Sequence, residues 1–576
     1  MRNVLGAVVV LISFSLTACG GGSTSTPAPP QSPSPPPAVT ISVSPTSANL
    51  TVGQTQQFTS TVQNSTNTAV AWQVNGTVGG NATVGTISIS GLYTAPATIP
   101  SPASVTVTAI SQADSTKSAS AMVTIQFTSS SLKGAYVFSF AGFNSNGRFS
   151  VVGGFQADGN GNLTNGLEDL NGSGGVFTNV PFAGAYAVGP DGRGSATITS
   201  SQRTTNFHFV LVAVGQAQIV EFDPAENGNG TVVQQDTSVL SLTTLAGNWA
   251  FFLSGAGPNA ETVADAGRFS LDSAGNITLG VEDYNDGGTV NSNAAFTGTA
   301  SSVSSNGRGT VSFSSTLGTS NFVFYVASVN QIFVIETDSA PSLSGAAFLQ
   351  QSPNFTNGSL TGSYAFLLNG VDNTELPLAS VGQIAADGSG NITSGVFDEN
   401  DGGSVVLDQA LTGSYSVSSN GRGTAAVSSA TLTSNYALYL ISGDLVVFVE
   451  TDSSAIAIGL AHLQSSGPFS NSSVSGNYGF DVTGTIIGGG INAVGQLTAN
   501  GTGNFTGVED VNESNVLTSA APFLGTYSVS ATGRATAQLT VGGTASNFVF
   551  YMASPSEIFF VELDAGEVVS GFANKQ

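Results

Sequence analysis

The chain has 576 residues and carries 35 Asp and Glu against 11 Lys and Arg, a net charge of −24, although only 8% of its residues are charged. Such a balance repels phosphate backbones and anionic lipid heads, and no Lys/Arg cluster offers a footprint for nucleic acid. With 40% apolar residues and alternating Val, Phe and Thr runs among 72 glycines, the chain reads as several globular cores rather than a low-complexity polymer.

The N-terminus reads as a targeting device. Arg2 supplies a positive start, Val4 to Phe14 is an apolar run too short to span a bilayer, and Leu16-Thr17-Ala18-Cys19 follows. Leu-Thr-Ala-Cys resembles the lipobox of bacterial lipoproteins, which implies cleavage of a signal peptide of residues 1–18 and lipid attachment at Cys19. In that class Gly20, where an Asp would retain the protein, implies the outer membrane or cell surface. Cys19 is also the single cysteine, so no internal disulfide can form and stability must come from packed cores. Residues 19–38 form a Gly/Ser/Pro-rich linker with seven prolines between Pro27 and Pro37. Its composition favours an extended spacer that stands the rest off the lipid.

Residues 39–127 alternate like short strands, as in Val39 to Val43, Gln57 to Val62, Ala69 to Val74 and Val105 to Ala109, with turns at Val52-Gly53 and Asn75-Gly76. Ser44-Pro45, Leu50 to Gln54, Phe58, Val70-Ala71-Trp72, Gly85 to Ser88 and Gly91 to Pro96 resemble bacterial Ig-like domains of the group 2 type. The resemblance implies a β-sandwich serving as extracellular spacer or adhesive module. The paired cysteines of antibody domains are missing, so Trp72 is expected to pack on aliphatic side chains alone.

From residue 128 the same pattern is written four times, giving β modules at 128–240, 241–355, 356–470 and 471–576. Each opens apolar-x-Gly-x-aromatic (Leu132 to Tyr136, Leu245 to Trp249, Leu360 to Tyr364, Val474 to Tyr478) and closes Gly-x4-Gln at Gln235, Gln350, Gln464 and Gln576. A fixed period marks a modular architecture. In the first copy the alternation predicts strands near 135–141, 149–157, 162–169, 176–188, 194–200, 206–214, 217–222 and 231–235. Turns at Asp158 to Asn162 and Asp191-Gly192-Arg193-Gly194 recur in all four. The fold class is therefore all-β: an Ig-like sandwich, then four tandem antiparallel meanders of about eight strands each. Closed barrels are expected, with two-sheet sandwiches as the alternative. An early Gly-x-aromatic before an eight-strand meander is similar in topology to the calycin barrels, lipocalins and avidins, which often set an Arg across the first aromatic. Here the recurrent Arg comes from the middle of the repeat. The sixth and seventh strands (Asn206 to Leu211, Gln218 to Glu221 and their repeats) are apolar on both faces, so their outer faces are expected to pack on a neighbouring module or subunit.

Two acidic sets recur. One is Glu168-Asp169, Glu282-Asp283, Phe397-Asp398 and Glu509-Asp510; the other pairs Glu221, Glu336, Glu450 and Glu562 with Asp223, Asp338, Asp452 and Asp564. Paired carboxylates can hydrolyse glycosides only when they face each other across a cleft. The simpler expectation is that they accept turn amides or pair with each module's single recurrent Arg. Asp-x-Asn-x-Asn at Asp158 faintly suggests calcium, but hairpin turns explain it with fewer assumptions. His208 and His462 occupy non-equivalent positions, and no nucleophile motif or zinc set is present. No catalytic residues, metal ligands or cofactor are therefore assigned, the ligand-binding residues stay unknown, and the chain is read as no enzyme. The connection between the first two strands varies most between copies (142–147, 254–267, 369–380, 484–492), and in a barrel it would sit at one mouth.

The expected role is that of an acidic, lipid-anchored surface lipoprotein, membrane-bound through Cys19, binding or adhering through repeated modules. Its partners would be glycans or other surface proteins, with no nucleic acid and with modules packed on one another. The alternatives are a purely structural cell-envelope protein and a carbohydrate-active enzyme using the repeated acids.

Overall fold

The computed structural model describes residues 36–576 apart from 101–102, 173, 317, 431–432 and 487–488. The leader, Cys19 and nearly all of the Pro-rich linker lie outside the described residues. Thr40 to Ile125 forms eleven short strands in sheets of two, five and four. Phe58, Trp72, Val74, Tyr93, Val107 and Ile125 fill the core of this segment, which runs on through Phe127 into the first barrel.

Each of the four repeats closes into an eight-stranded antiparallel barrel, and the strands follow chain order without a crossover. In barrel 1 they are Lys133–Asn144, Gly147–Asp158, Asn162–Gly172, Gly175–Val188, Arg193–Ser200, Thr204–Ala213, Gln216–Glu221 and Glu226–Gln234. Closure pairs the first strand with the eighth, Tyr136 opposite Gln234 and Asn144 opposite Glu226. A meander of this size leaves no free edge. The two-sheet sandwich is thereby corrected for the repeats. So is the reading of 142–147 as a loop, because strands one and two stay paired out to Asn144 and Gly147. Glycine is the reason. A Cβ on Gly142 would lie 2.5 Å from the carbonyl oxygen of Asn227, and its counterparts Gly255, Gly370 and Gly484 face backbone just as closely. What reads as a glycine-rich loop is a strand pressed on its neighbour.

A second glycine per barrel makes room for the core. Phe138, Phe251, Phe366 and Phe480 point inward over Gly153, Gly267, Gly382 and Gly495 of the next strand. A Cβ at Gly382 would sit 2.5 Å from the Phe366 ring and 2.7 Å from the carbonyl oxygen of Val396. Gly382→Ala is expected to cost about 1–3 kcal/mol through overpacking, read as a lowered melting temperature. One end of each barrel is stoppered by the short turn that opens its repeat. In barrels 1, 3 and 4 the hydroxyls of Tyr186, Tyr415 and Tyr527 donate to the carbonyls of Leu132, Leu360 and Val474. In barrel 2 the Trp249 indole donates to Leu245 instead.

The barrels are arranged head to tail in a closed ring. Strands one and two of barrels 1, 2 and 3 pack on strands six to eight of the barrel that follows, and those of barrel 4 return to barrel 1. The outer faces of strands six and seven are thus covered by apolar seams. Val137 and Val152 meet Val323, Tyr325 and Ile335, and Ala379 and Val381 meet Val549, Tyr551 and Val561. The seam from barrel 4 to barrel 1 is the smallest, four buried valines at 210, 212, 220 and 494.

Candidate functional site

The recurrent acids lie inside the third strand of each barrel rather than at its end, since in barrel 1 the strand runs from Asn162 to Gly172, and side chains there alternate between faces. Glu168 therefore points into barrel 1 while Asp169 points out, so the two acids of a pair cannot face one cleft. Asp169 is fully buried in the seam to barrel 2. The Arg308 guanidinium grips it with two prongs, Nε to Oδ2 at 2.8 Å and Nη2 to Oδ1 at 2.7 Å, and the Tyr325 hydroxyl donates to Oδ2 at 2.7 Å. The amide of Asn179 donates to Oδ1 at 2.9 Å. Asp283 with Arg422 and Tyr439, and Asp398 with Arg534 and Tyr551, repeat the arrangement. Each recurrent Arg does pair with a repeated Asp, but with that of the preceding module rather than its own.

Two further residues stitch every joint: the glutamine that closes each repeat, and the asparagine two positions after each Asp, whose Asp-x-Asn setting in the sequence faintly suggests calcium but which bonds across the joint instead. Asn171, Asn285, Asn400 and Asn512 donate to the carbonyls of Glu336, Glu450, Glu562 and Glu221 in the adjoining barrel. The closing glutamines do the same from the other side. Gln235 Nε2 reaches the carbonyl of Val326 at 2.7 Å, and Gln576 reaches that of Leu211 at 2.7 Å and so closes the ring. Their signal was present as strict recurrence of Gly-x4-Gln and of Asn two residues after each Asp.

The ring-closing joint is different. Arg193 gives Asp510 only Nη1 at 3.2 Å, while its Nε turns to Asp191 at 2.9 Å. Val210 stands at the tyrosine position, and His208 places Nδ1 3.2 Å from Asp510 Oδ1 while stacking on Phe222. Burial pushes Asp510 up, but His208 and the Ala520 amide outweigh it and hold the carboxyl down at about 2. The other histidine, His462, pairs with Glu557 across the seam between barrels 3 and 4 at 2.9 Å.

The remaining acids divide by face in the same way. Asp223 accepts the amide and side chain of Asn206, and Asp338, Asp452 and Asp564 hold Asn321, Asn435 and Asn547 identically. Asp158 accepts the amides of Asn160 and Asn162, which fixes the hairpin turn once considered for calcium. Among the described residues no cluster of three or more His, Cys, Asp or Glu is arranged to hold a metal ion.

Glu221, Glu336, Glu450 and Glu562 point inward from strand seven, at the end opposite the stopper, towards Glu168, Glu282, Glu399 and Glu509 from strand three. Burial raises them all, Glu221 to about 10, Glu336, Glu450 and Glu562 to about 8, and Glu282, Glu399 and Glu509 to about 7. Among the described residues, barrel 1 alone carries its own cation at this end. Arg203 Nη1 donates to Glu226 at 3.2 Å and Nη2 lies 3.8 Å from Glu168.

The interiors differ most in what fills them beside these acids. Barrel 4 encloses a cavity of about 510 Å³, against about 60, 40 and 110 Å³ in barrels 1, 2 and 3. One layer of side chains contributes, chiefly against barrels 1 and 2. On strand one Phe140, Leu253 and Leu368 give way to Val482; on strand two Val151, Asp265 and Ser380 give way to Ala493; on strand three Leu170, Tyr284 and Glu399 give way to Val511. Phe140, Phe149 and Phe207 make a ring cluster in barrel 1, where barrel 4 has Val482, Ile491 and Phe548. A space of this size, apolar with a few polar groups at one end, suits a small molecule.

No model of a known protein family matches the sequence, and no curated protein matches it. Among solved structures, the chain is similar at 8% identity to a DUF3598-family protein of unknown function from Nostoc punctiforme, covering 77% of this chain and 97% of that one, with a TM-score of 0.15. Kievitone hydratase from Nectria haematococca matches at 6% identity over 57% of this chain and 89% of its own, TM-score 0.15. The FrpB iron transporter from Neisseria meningitidis matches at 9% identity over 84% and 88%, TM-score 0.13. Scores this low carry no argument about what the chain does.

Proposed function

We propose that the protein is a lipid-anchored surface protein with a non-catalytic binding role, its ring of barrels a rigid body and its fourth barrel the ligand compartment. The cavity in barrel 4, several times larger than in its three sister barrels, carries the reading. The proposed order along the chain is Cys19 on the membrane, a Pro-rich stand-off, an Ig-like spacer over 39–127, then the ring. Supporting a role without catalysis, Asp169, Asp283, Asp398 and Asp510 are held in joints between barrels rather than in a cleft. The structural-envelope reading has its own support in three well-filled barrels and a closed ring of joints.

The reading is tested with N-phenyl-1-naphthylamine, an apolar dye uncharged near neutral pH. One saturable site per chain is expected, abolished by Val482→Phe, which restores the bulk found in barrel 1, with no loss of melting temperature. Absence of saturable binding, or binding indifferent to that substitution, overturns the reading in favour of a structural role. Turnover of a chromogenic glycoside that Glu509→Gln abolishes would overturn its non-catalytic part. Labelled palmitate should enter the wild type and not Cys19→Ser.

A further inference from the structure

Barrel 1 and barrel 4 carry the same acids in the same places and answer them differently. Glu509, Glu562 and Glu567 stand at the positions of Glu168, Glu221 and Glu226, and the residue at the position of Arg203 is Thr544, the start of strand six. All four of these barrel 4 residues line the cavity, and no Lys, Arg or His is found among its described lining residues. Glu562 is only 4% exposed and its Oε1 has no hydrogen-bond partner. A buried carboxyl oxygen left without a donor costs on the order of 1–3 kcal/mol, and here it borders open space. In barrel 1 the oxygens of Glu221 likewise have no hydrogen-bond partner, but a guanidinium lies among the acids, at 3.2 Å from Glu226 and 3.8 Å from Glu168, and no large cavity adjoins them.

We propose that the fourth barrel binds an apolar molecule ending in a cationic group, an alkyl- or arylamine or a guanidine. Its tail lies along Phe480, Val482 and Phe523, and its cation lies among Glu509, Glu562 and Glu567. The ligand's cation takes the role that Arg203 has in barrel 1. The body of the ligand fills the cavity bordered by Val482, Ala493 and Val511. The inference rests on barrel 4 being a binding compartment and adds the ligand's chemistry. Raised carboxyls without an internal cation fit the same picture, since an arriving ammonium would let them ionise and release a proton.

The test compares decylamine, decan-1-ol and decanoate on the full chain carrying Cys19→Ser, which avoids detergent competing for the cavity and leaves every described residue in place. Titration calorimetry is expected to show decylamine binding about 10- to 100-fold more tightly than decan-1-ol, as charge-assisted hydrogen bonds provide, with decanoate weakest. Thr544→Arg, which writes the internal cation of barrel 1 into barrel 4, should bring decylamine down to the level of the alcohol. Glu562→Gln, nearly isosteric, should remove most of the preference while keeping dye binding, and so controls for a misfolded arginine variant. Equal affinity for the three heads, or a preference for decanoate, overturns the cationic ligand while dye binding still upholds the compartment. No binding of any of the three, and none of the dye, overturns both.

Discussion

Asp398→Ala is expected to destabilise the ring by about 3–5 kcal/mol, as removal of one partner from a buried ion pair does. The carboxylate has no exposure to solvent, and four donors converge on it: Arg534 Nε and Nη2, the Tyr551 hydroxyl and the Asp408 amide. The substitution leaves the Tyr551 phenol buried in the seam between barrels 3 and 4 without an acceptor, and a half-buried guanidinium whose nearest remaining carboxylate is the exposed Asp408, 3.8 Å from Nε. Asp398 raises Arg534 and, together with burial, Tyr551, so the three act as one unit. Arg534→Met added to Asp398→Ala should recover a large part of the loss, because the penalty lies in the orphaned charge. Asp510→Ala, in the ring-closing joint, should cost less. Arg193 keeps Asp191 as a partner, and a valine stands in place of the tyrosine. The readout is the denaturant midpoint, with hydrogen exchange to show which seam opens, since four linked barrels need not unfold in one step. A midpoint for Asp398→Ala within the error of the wild type would show that the joint is dispensable.

The contrast between joints also explains what was legible in the sequence. The barrels were legible because alternation and turn residues are local signals: Asp158-Gly159 and Asp191-Gly192 fixed hairpins, and the period counted eight strands. Asp169 and Arg308 were visible as recurring residues, yet their pairing was not, because they lie 139 positions apart and meet only once two barrels have formed. Side-chain alternation was enough to place Glu168 and Asp169 on opposite faces, and applying it there separates a joint residue from an interior one. The cavity was hidden for another reason. Val482, Ala493 and Val511 each read as ordinary strand residues, and only their alignment in one layer across three strands shows that their shortfalls in volume add. The variable connection between strands one and two misled because Gly142 and its counterparts look like turn residues when the same absence of Cβ serves close pairing.

The protein is expected to be more stable at pH 5 than at pH 9, the reverse of what surface ion pairs alone would give. Glu336, Glu450 and Glu562 are raised by burial to about 8, and Glu282, Glu399 and Glu509 to about 7, against an ordinary value near 4.5. A carboxyl raised on folding holds its proton more tightly in the native state. Its contribution is therefore complete below about pH 4.5 and is lost as pH climbs through 7 and 8. At about 1.4 kcal/mol per unit, each group accounts for roughly 3–5 kcal/mol across that window. Asp158 and Asp510, held down at about 2 chiefly by side-chain and amide hydrogen bonds (for Asp510 against burial, which raises it), act in the opposite sense and lose their contribution only as pH falls below 4. The two sets leave a maximum near pH 4–5. Barrel 2 should loosen first on the alkaline side, because Asp265, Glu282 and Glu336 share its interior and burial and mutual repulsion raise Asp265 as well. Barrel 1 should follow it, because burial and the neighbouring Glu226 push Glu221 up to about 10 although Arg203 faces Glu168 and Glu226. Melting temperatures from pH 4 to 9, with hydrogen exchange resolved by barrel, check both the slope and the order. Glu282→Gln with Glu336→Gln should flatten the curve, because an amide cannot ionise in the space that a protonated carboxyl fills. A melting temperature that stays level or rises from pH 5 to 9 would mean that these interiors admit enough water to charge their acids without cost.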